Sequence, residues 1–339
     1  MSGPAVTFII PTHNNKDVIG RCLESIRNQT AGDWECVVID DASTDGTPEF
    51  VAENMPWVRV IRQRESCGPS LNRNVAAAQS HARYLAFLDS DVELHSEWLA
   101  RMVEVLEREP QAGIGGCKLL LAARPSTVNA FGGAIGRLGI TWNAHEWEDA
   151  ATVTRREYAL WASSAAMLMR RPLFEQLGGF DNTYFYGCED TDIGWRANLS
   201  GASVVCIPEA IAWHRTSETI VRRADAMAFH AYKNAIRCII KNYGALRLPV
   251  KLTVYFAYSV TDVLLRGNKK AKVRAWWWNL VSLRDTLRLR ARIQKSRMVS
   301  DAQLRALFSS RLFPPVRLKD RRRYSGLEAA SAPERKPNA

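Results

Sequence analysis

Tyr84 to Asp91 reads YLAFLDSD, five apolar or aromatic residues that run without a spacer into an acidic pair. A run of that length and character suits a strand buried on both faces, as in a parallel sheet. Working outward, Val6–Ile10, Trp34–Asp40 and Val58–Arg62 are further strand-like runs. Lys16–Gln29 places Val18, Ile19, Cys22, Leu23 and Ile26 at helical spacing, and Pro69–Ser80 and Glu97–Glu107 also read as helices. Alternation of strand and helix predicts an α/β fold, a mostly parallel central sheet with helices on both faces. Ligands in such sheets bind at the carboxyl ends of the strands. Three polar turns lie at those ends: Thr12–Asn15, Asp40–Asp45 and Asp89–Asp91.

The turn after the first strand reads PTHNN, not GxGxxG, and the chain holds no GxxxxGK[ST]. A glycine-rich phosphate cradle is therefore not the device for holding a nucleotide here. The alternative is a divalent metal bridging a pyrophosphate to carboxylates. Asp89-Ser90-Asp91 offers hard oxygen ligands suited to Mg or Mn, with His214 as a borderline nitrogen ligand.

A second acidic group lies in Gly178–His214, GGFDNTYFYGCEDTDIGWRANLSGASVVCIPEAIAWH. Asp190–Ser200 has helical spacing, which puts Glu189 and Asp190 at a helix start, where carboxylates meet the positive end of the macrodipole. Gly201 reads as the helix stop and Ser203–Ile207 as a short buried strand. An acidic N-terminal cap explains Glu189 and Asp190 equally well at this level. Trp195 and Trp213 suit either a core or the wall of an acceptor site, and Cys188 reads as a structural thiol.

Six pieces then carry a resemblance: FIIPTHNN (8–15), VVIDDASTDGT (37–47), CGPSLNRNVA (67–76), FLDSDVEL (87–94), GGFDNTYFYGCEDTDIGWR (178–196) and AWH (212–214). In that order, over roughly residues 5–215, the chain resembles glycosyltransferase family 2, and most of all its rhamnosyltransferase-like branch. The resemblance implies a GT-A fold and an inverting transfer from a sugar nucleotide. It implies that Pro11, Thr12, Asn14 and Asp41 line the nucleoside pocket, with Asp41 accepting a hydrogen bond from the base. Asp89 would hold the ribose or a metal-bound water, and Asp91 and His214 the metal. Asp190 would be the general base, with Glu189 and Trp195 on the acceptor side. Asp192, two helix positions from Asp190, would point away and brace the helix. His13 departs from the Tyr common at its position in the family.

Charge divides the chain. Residues 1–214 carry 18 Lys/Arg and 27 Asp/Glu, and residues 215–339 carry 28 and 8, within a total of +11. Seven scattered cysteines without a CxxC pair suit reduced thiols in the cytoplasm. Val6–Ile10 is too short for a secretory signal and meets Pro11 at once. Three regions are expected: a catalytic domain (1–215), a basic, aromatic-rich helical region (216–318) and a disordered tail (319–339). Phe229–Tyr243 reads as a basic amphipathic helix, Leu248–Leu265 as an apolar segment interrupted by Lys251 and Asp262, and Lys269–Arg297 as clustered cations around Trp276-Trp277-Trp278. That pattern points to the anionic inner face of the cell membrane, by an interfacial rather than a spanning segment. A helical bundle packed on the catalytic domain is compatible with it. No nucleic-acid-binding motif accompanies the charge.

The expected function is transfer of a sugar from a nucleotide-diphosphate donor to a hydroxyl of a glycan or lipid-linked acceptor in cell-surface polysaccharide synthesis. The alternative is a catalytically silent sugar-nucleotide or polysaccharide-binding protein on the same fold.

Overall fold

The structure, a computed structural model, describes residues 4–215, 224–265 and 267–315. The tail expected at 319–339 lies outside the described residues. The strands are β1 (Val6–Thr12), β2 (Trp34–Asp40), β3 (Arg59–Arg62), β4 (Tyr84–Leu88), β5 (Val92–Leu94), β6 (Ala112–Leu121), β7 (Arg124–Ala130), β8 (Gly133–Ile135), β9 (Thr141–Asn143), β10 (Glu157–Ala159), β11 (Ala166–Arg170) and β12 (Ser203–His214). The helices are α1 (Lys16–Arg27), α2 (Thr47–Asn54), α3 (Pro69–Ala78), α4 (Trp98–Arg108), α5 (Arg171–Leu177), α6 (Glu189–Leu199), α7 (Ala224–Asn242), α8 (Leu248–Leu265), α9 (Lys269–Val281) and α10 (Leu283–Lys295).

The main sheet runs β10-β12-β6-β11-β4-β1-β2-β3, with β5 paired to β12 and β7 to β6. Along this path β1, β2, β3, β4, β6 and β12 share one direction, and β11 is reversed between β4 and β6. Alternate residues of the central strands supply the two cores, as the two-residue period of a strand requires. Phe8, Ile10, Val38, Ala86 and Leu88 pack with α1 and α4 on one face. Ile9, Val37, Ile39, Leu85 and Phe87 pack with α3, α5 and α6 on the other. The α/β reading of the sequence is thus the observed fold.

Two features position the site. First, β12 continues past Ile207 through a register shift and ends at His214, where it pairs with β5 as His214↔Val92. That antiparallel pairing, with Arg215 N donating to Asp91 O at 2.9 Å, brings the end of β12 back to Asp89-Ser90-Asp91. Second, α6 lies hard against the chain at Leu160–Trp161. A Cβ at Gly194 would sit 2.6 Å from Trp161 Cα, so only glycine permits this approach. The helix stops at Ser200, with Gly201 at φ +88° as the left-handed exit.

The C-terminal helices pack on the part of the chain that carries the sheet. Cys238, Ile239, Tyr243 and Tyr255 share one apolar cluster with Ile135, Leu160, Trp161, Trp195 and Leu199. Trp195 is fully buried there, edge-on to Tyr243 at 4.7 Å and to Phe308 at 5.3 Å. This corrects the acceptor-side reading of Trp195: the indole joins α6 to the C-terminal helices. The tryptophan triplet is also divided. Trp278 lies beneath Lys233 and Arg237, Trp276 packs against Phe256, and Trp277 is exposed.

Candidate active site

Asp89 and Asp91 follow β4 directly, and their carboxylates meet His214 with all three candidate ligand atoms within 4.8 Å of one another. His214 Nε2 lies 3.4 Å from Asp91 Oδ1, while its Nδ1 is 2.9 Å from Asn129 Oδ1. An amide oxygen only accepts, so Asn129 takes the Nδ1 proton and leaves the Nε2 lone pair turned toward the aspartates. Burial opposes protonation of His214, but the Asp91 hydrogen bond and the charges of Asp91 and Asp89 outweigh it and raise its pKa. Two carboxylate oxygens and one imidazole nitrogen, once a metal displaces any Nε2 proton, form a donor set that fits Mg or Mn.

Arg73 ties this cluster to the second acidic group. Its side chain is almost fully buried on α3. Nη2 donates to Asp89 Oδ1 at 2.6 Å, and Nη1 reaches Glu189 Oε1 at 3.4 Å. Ser164 Oγ also donates to Glu189 Oε1 at 3.4 Å, and Glu189 Oε2 is buried with no hydrogen-bond partner. Asp190, the next residue, accepts from Thr191 N at 2.7 Å. Burial and the Glu189 charge push its carboxyl up to about 7, against the opposing pull of Thr191 and Arg73. A carboxylate with that affinity for a proton is a far better base at neutral pH than an ordinary aspartate.

Asp192 is different. It is fully buried, bonded to Arg196 Nε at 2.8 Å and to Lys241 Nζ and Asn242 Nδ2 of α7, each at 3.0 Å. Burial raises its pKa, but the Arg196 and Lys241 charges more than reverse that and hold it low. Asp192 therefore braces α6 against α7. The Cys188 thiol, at the left-handed position before α6, is raised well above its usual range by burial and by nearby Cys238 and acidic groups.

At the ends of β1 and β2 the structure changes one expectation. The Asp41 carboxylate accepts four hydrogen bonds, from Cys67 N, Gly68 N, Ser66 Oγ and Asn72 Nδ2 at 2.7–3.1 Å. Those bonds occupy a carboxylate's acceptor positions, so Asp41 holds the start of α3 and has none left for a base. Its neighbour Asp40 is also buried, and its Oδ2 accepts from Ser43 N at 3.1 Å. Its Oδ1 is buried and unpartnered, as is Thr12 Oγ1 on the residue registered with it. Pro11 is buried at the end of β1. Asn14 is exposed at φ 53°, and its Oδ1 accepts from Thr44 N at 2.8 Å, fastening the β1 turn to the turn after β2. Asn15 Nδ2 donates to Ser90 Oγ at 2.7 Å and links the same turn to the acidic pair.

The structure therefore gathers Asp89, Asp91, His214, Glu189 and Asp190 and removes Trp195 and Asp41. It adds Asn129, Arg73 and Asp40. Arg73 and Asp40 sit inside the quoted pieces CGPSLNRNVA and VVIDDASTDGT; nothing near Asn129 in sequence marks it.

The chain is similar in sequence and fold to known proteins. The chain is 31% identical over 238 residues to the O-antigen biosynthesis protein RfbC of Myxococcus xanthus, covering 66% of this chain but 18% of that one. It is 26% identical over 298 residues to an N-acetylglucosaminyl-diphospho-decaprenol L-rhamnosyltransferase of Mycobacterium tuberculosis, covering 80% and 95% of the two chains. Its fold matches that of a mannosyltransferase from Pyrobaculum calidifontis, solved with GDP-Man and Mn2+. That match has a TM-score of 0.53 at 19% identity and covers 87% of this chain and 86% of the other. Residues 7–178 match Glycosyl transferase family 2, and the chain belongs to that family.

Proposed function

We propose that the protein is an inverting, metal-dependent glycosyltransferase. It moves a hexosyl or rhamnosyl group from a nucleoside-diphosphate donor to a hydroxyl of a lipid-linked glycan, in cell-surface polysaccharide synthesis. The observation that carries this reading is the Arg73 bridge: one buried guanidinium joins the Asp89–Asp91–His214 cluster to the Glu189–Asp190 pair. A divalent cation held by Asp91 and His214, with Asp89 beside it, would act as a Lewis acid toward the charge developing on the departing diphosphate. Asn129 holds His214 in the tautomer that this requires. Thr12 and Asp40, at the ends of β1 and β2 beside the expected nucleoside pocket, carry buried polar atoms without a protein partner. Asp190 takes the proton of the attacking hydroxyl, and Glu189, held by Arg73 and Ser164, keeps the Asp190 pKa high. Attack from the face opposite the leaving group inverts the anomeric centre in one displacement. The name of the mycobacterial relative supports a polyprenyl-diphosphate-linked acceptor.

Panels of UDP-, GDP- and dTDP-sugars tested for thermal stabilisation with Mn or Mg would find the donor. Binding to the folded state stabilises by about 2.7 kcal/mol at one hundred times Kd. Stabilisation should vanish in EDTA and in Asp91→Ala; full turnover in excess EDTA would overturn the metal assignment.

The same reading places the protein at the inner membrane face through its C-terminal helices. Among the described residues α8 is the one helix long and apolar enough to cross a bilayer, by length and composition alone, with mean hydropathy 1.3. Val250, Phe256, Leu264 and Leu265 of α8 and Trp277, Leu280 and Val281 of α9 are exposed, in the third of the chain that is strongly cationic. Asp262 is buried against Lys272 at 2.6 Å, which favours an interfacial placement over a spanning one. Binding to vesicles should rise with anionic lipid and fall with salt, since screening acts over about 10 Å at 0.1 M. Extraction by detergent alone would indicate a spanning helix.

A further inference from the structure

The turn that delivers Glu189 and Asp190 to the start of α6 is held from α7. Asn234 of that helix is fully buried. Its Nδ2 donates to Tyr186 O at 2.9 Å and to Gly187 O at 2.7 Å. Both partners are carbonyl oxygens, which only accept, so turning the amide over would set oxygen against oxygen. Its Oδ1 is left buried with no partner. An amide that carries the cost of an unmet acceptor in the interior is balanced here by the two carbonyls it holds.

Those carbonyls come just before a strained point. Gly187 and Cys188 are both left-handed, at φ 76° and 68°, and Asp192 N donates to Cys188 O at 2.9 Å as the helix opens. Glycine takes that conformation freely, whereas cysteine takes it where the surroundings impose it. A Cβ on Gly187 would meet nothing within 4 Å, so hydrogen bonds rather than packing fix this side of the turn. Lys233 of α7 donates to Thr183 O, and Ser70 Oγ of α3 to Tyr184 O at 2.6 Å, which secures the preceding residues.

The acidic pair has little else to hold it. Among the described residues Asp190 accepts only from Thr191, its neighbour in the chain. Glu189 is reached by Arg73 and Ser164 at 3.4 Å, longer than a well-formed hydrogen bond. Where the two carboxylates stand is therefore set by the backbone of the turn at Tyr186, Gly187 and Cys188.

We propose that Asn234 is a positioning residue for the transfer: through the two carbonyls it holds, it keeps the Asp190 carboxylate aligned with the attacking acceptor hydroxyl. This inference rests on the function proposed above and extends the working site into α7. The hydrogen bonds of Asn234 reach neither the Asp89–Asp91–His214 cluster nor Thr12 and Asp40, so donor binding is independent of it.

The test is steady-state kinetics on the full chain with Mn, the sugar nucleotide giving the largest stabilisation in the panel above, and N-acetylglucosaminyl-diphospho-polyprenol as acceptor. Asn234→Leu keeps the volume and removes both donors. Per folded molecule its kcat should fall about ten- to hundred-fold, the cost of misplacing a reacting group by about 1 Å. Its donor KM and the donor's Mn-dependent thermal stabilisation should stay as in the wild type. Asn234→Ala should show the same split, through a cavity instead of two methyl groups. Gln294→Leu is the control for helix packing. Gln294 of α10 also spans two carbonyls with one amide, Lys241 O at 3.0 Å and Asn242 O at 3.3 Å, but at the far end of α7. That variant should lose stability and keep its kcat. Unchanged kcat in the Asn234 variants, a donor KM that worsens along with kcat, or an equal kcat loss in Gln294→Leu would each overturn the assignment. Unfolding of both Asn234 variants would make the residue a purely structural one and overturn it too. A wild type that transfers no sugar from any donor of the panel would instead overturn the proposed function.

Discussion

The two ends of the first turn of α6 hold the same side chain in opposite conditions. Asp190 sits at the helix start beside Glu189 and is raised to about 7 by burial and like charge. Two residues on, Asp192 is more deeply buried, yet Arg196, Lys241 and Asn242 surround it and keep it ionised. Burial is common to both, so it does not decide the outcome. Counter-ions do. The cluster around Asp192 extends to Asp181, which lies 2.8 Å from Arg237 and 2.6 Å from Lys241 and is held far below the ordinary carboxylate range. One carboxylate is left free to take a proton, and the others anchor α7 to the catalytic half.

The largest effect expected on that contrast is structural. Asp192→Asn leaves Arg196 and Lys241 facing a neutral amide in a buried site, and breaking such a pair costs about 3–5 kcal/mol. The lower end applies here, because Arg196 keeps the carbonyls of Leu177 and Gly179 and Lys241 keeps Asp181. Denaturant unfolding should show this loss, while the fraction still folded should turn over normally. A stability unchanged by the substitution would mean the cluster does not anchor α7.

A smaller effect separates the two residues by the sign of their pH dependence. Asp190 holds its proton to about 7 when folded and to about 3.9 when unfolded, so it subtracts stability as pH rises through that interval. Asp192 has a lowered folded pKa, so its contribution is present above about 3.9 and is lost as pH falls toward the folded value. Asp190→Asn should therefore gain Tm relative to wild type between pH 5 and 8. The deficit of Asp192→Asn should shrink only in acid. Parallel pH curves for the two variants would remove the distinction.

Much of this contrast was legible in the sequence, and the gaps have physical causes. The sheet and its first helices showed because buried strands and amphipathic helices repeat at different periods, and Asp89–Asp91 showed because β4 runs straight into it. Trp195 was not assignable because α6 is buried on every side from Thr191 to Leu199, leaving no polar face to orient it. Asp40 and Asp41 are adjacent, and only the packing of the α3 start on Asp41 shows which one is already occupied. Arg73 reads as one cation on an ordinary helix; its partners lie 16 and 116 residues away. Residues 112–170 gave no element: β8, β9 and β10 are three residues each, too short to show a period, and the longer β6 is buried along nearly its whole length and so shows no alternation. Asn129 lies in that blank stretch.

The pH–rate profile of wild type and Asp190→Asn tests the central claim most directly. In the wild type, kcat/KM should rise with pH along a limb with an apparent pKa near 7, because the base must lose its proton before it can accept another. In Asp190→Asn, turnover should fall about 10²–10⁴-fold with donor and metal binding retained, and the limb should disappear. A variant with near-normal turnover, or one that keeps the same limb, would show that the proton goes elsewhere.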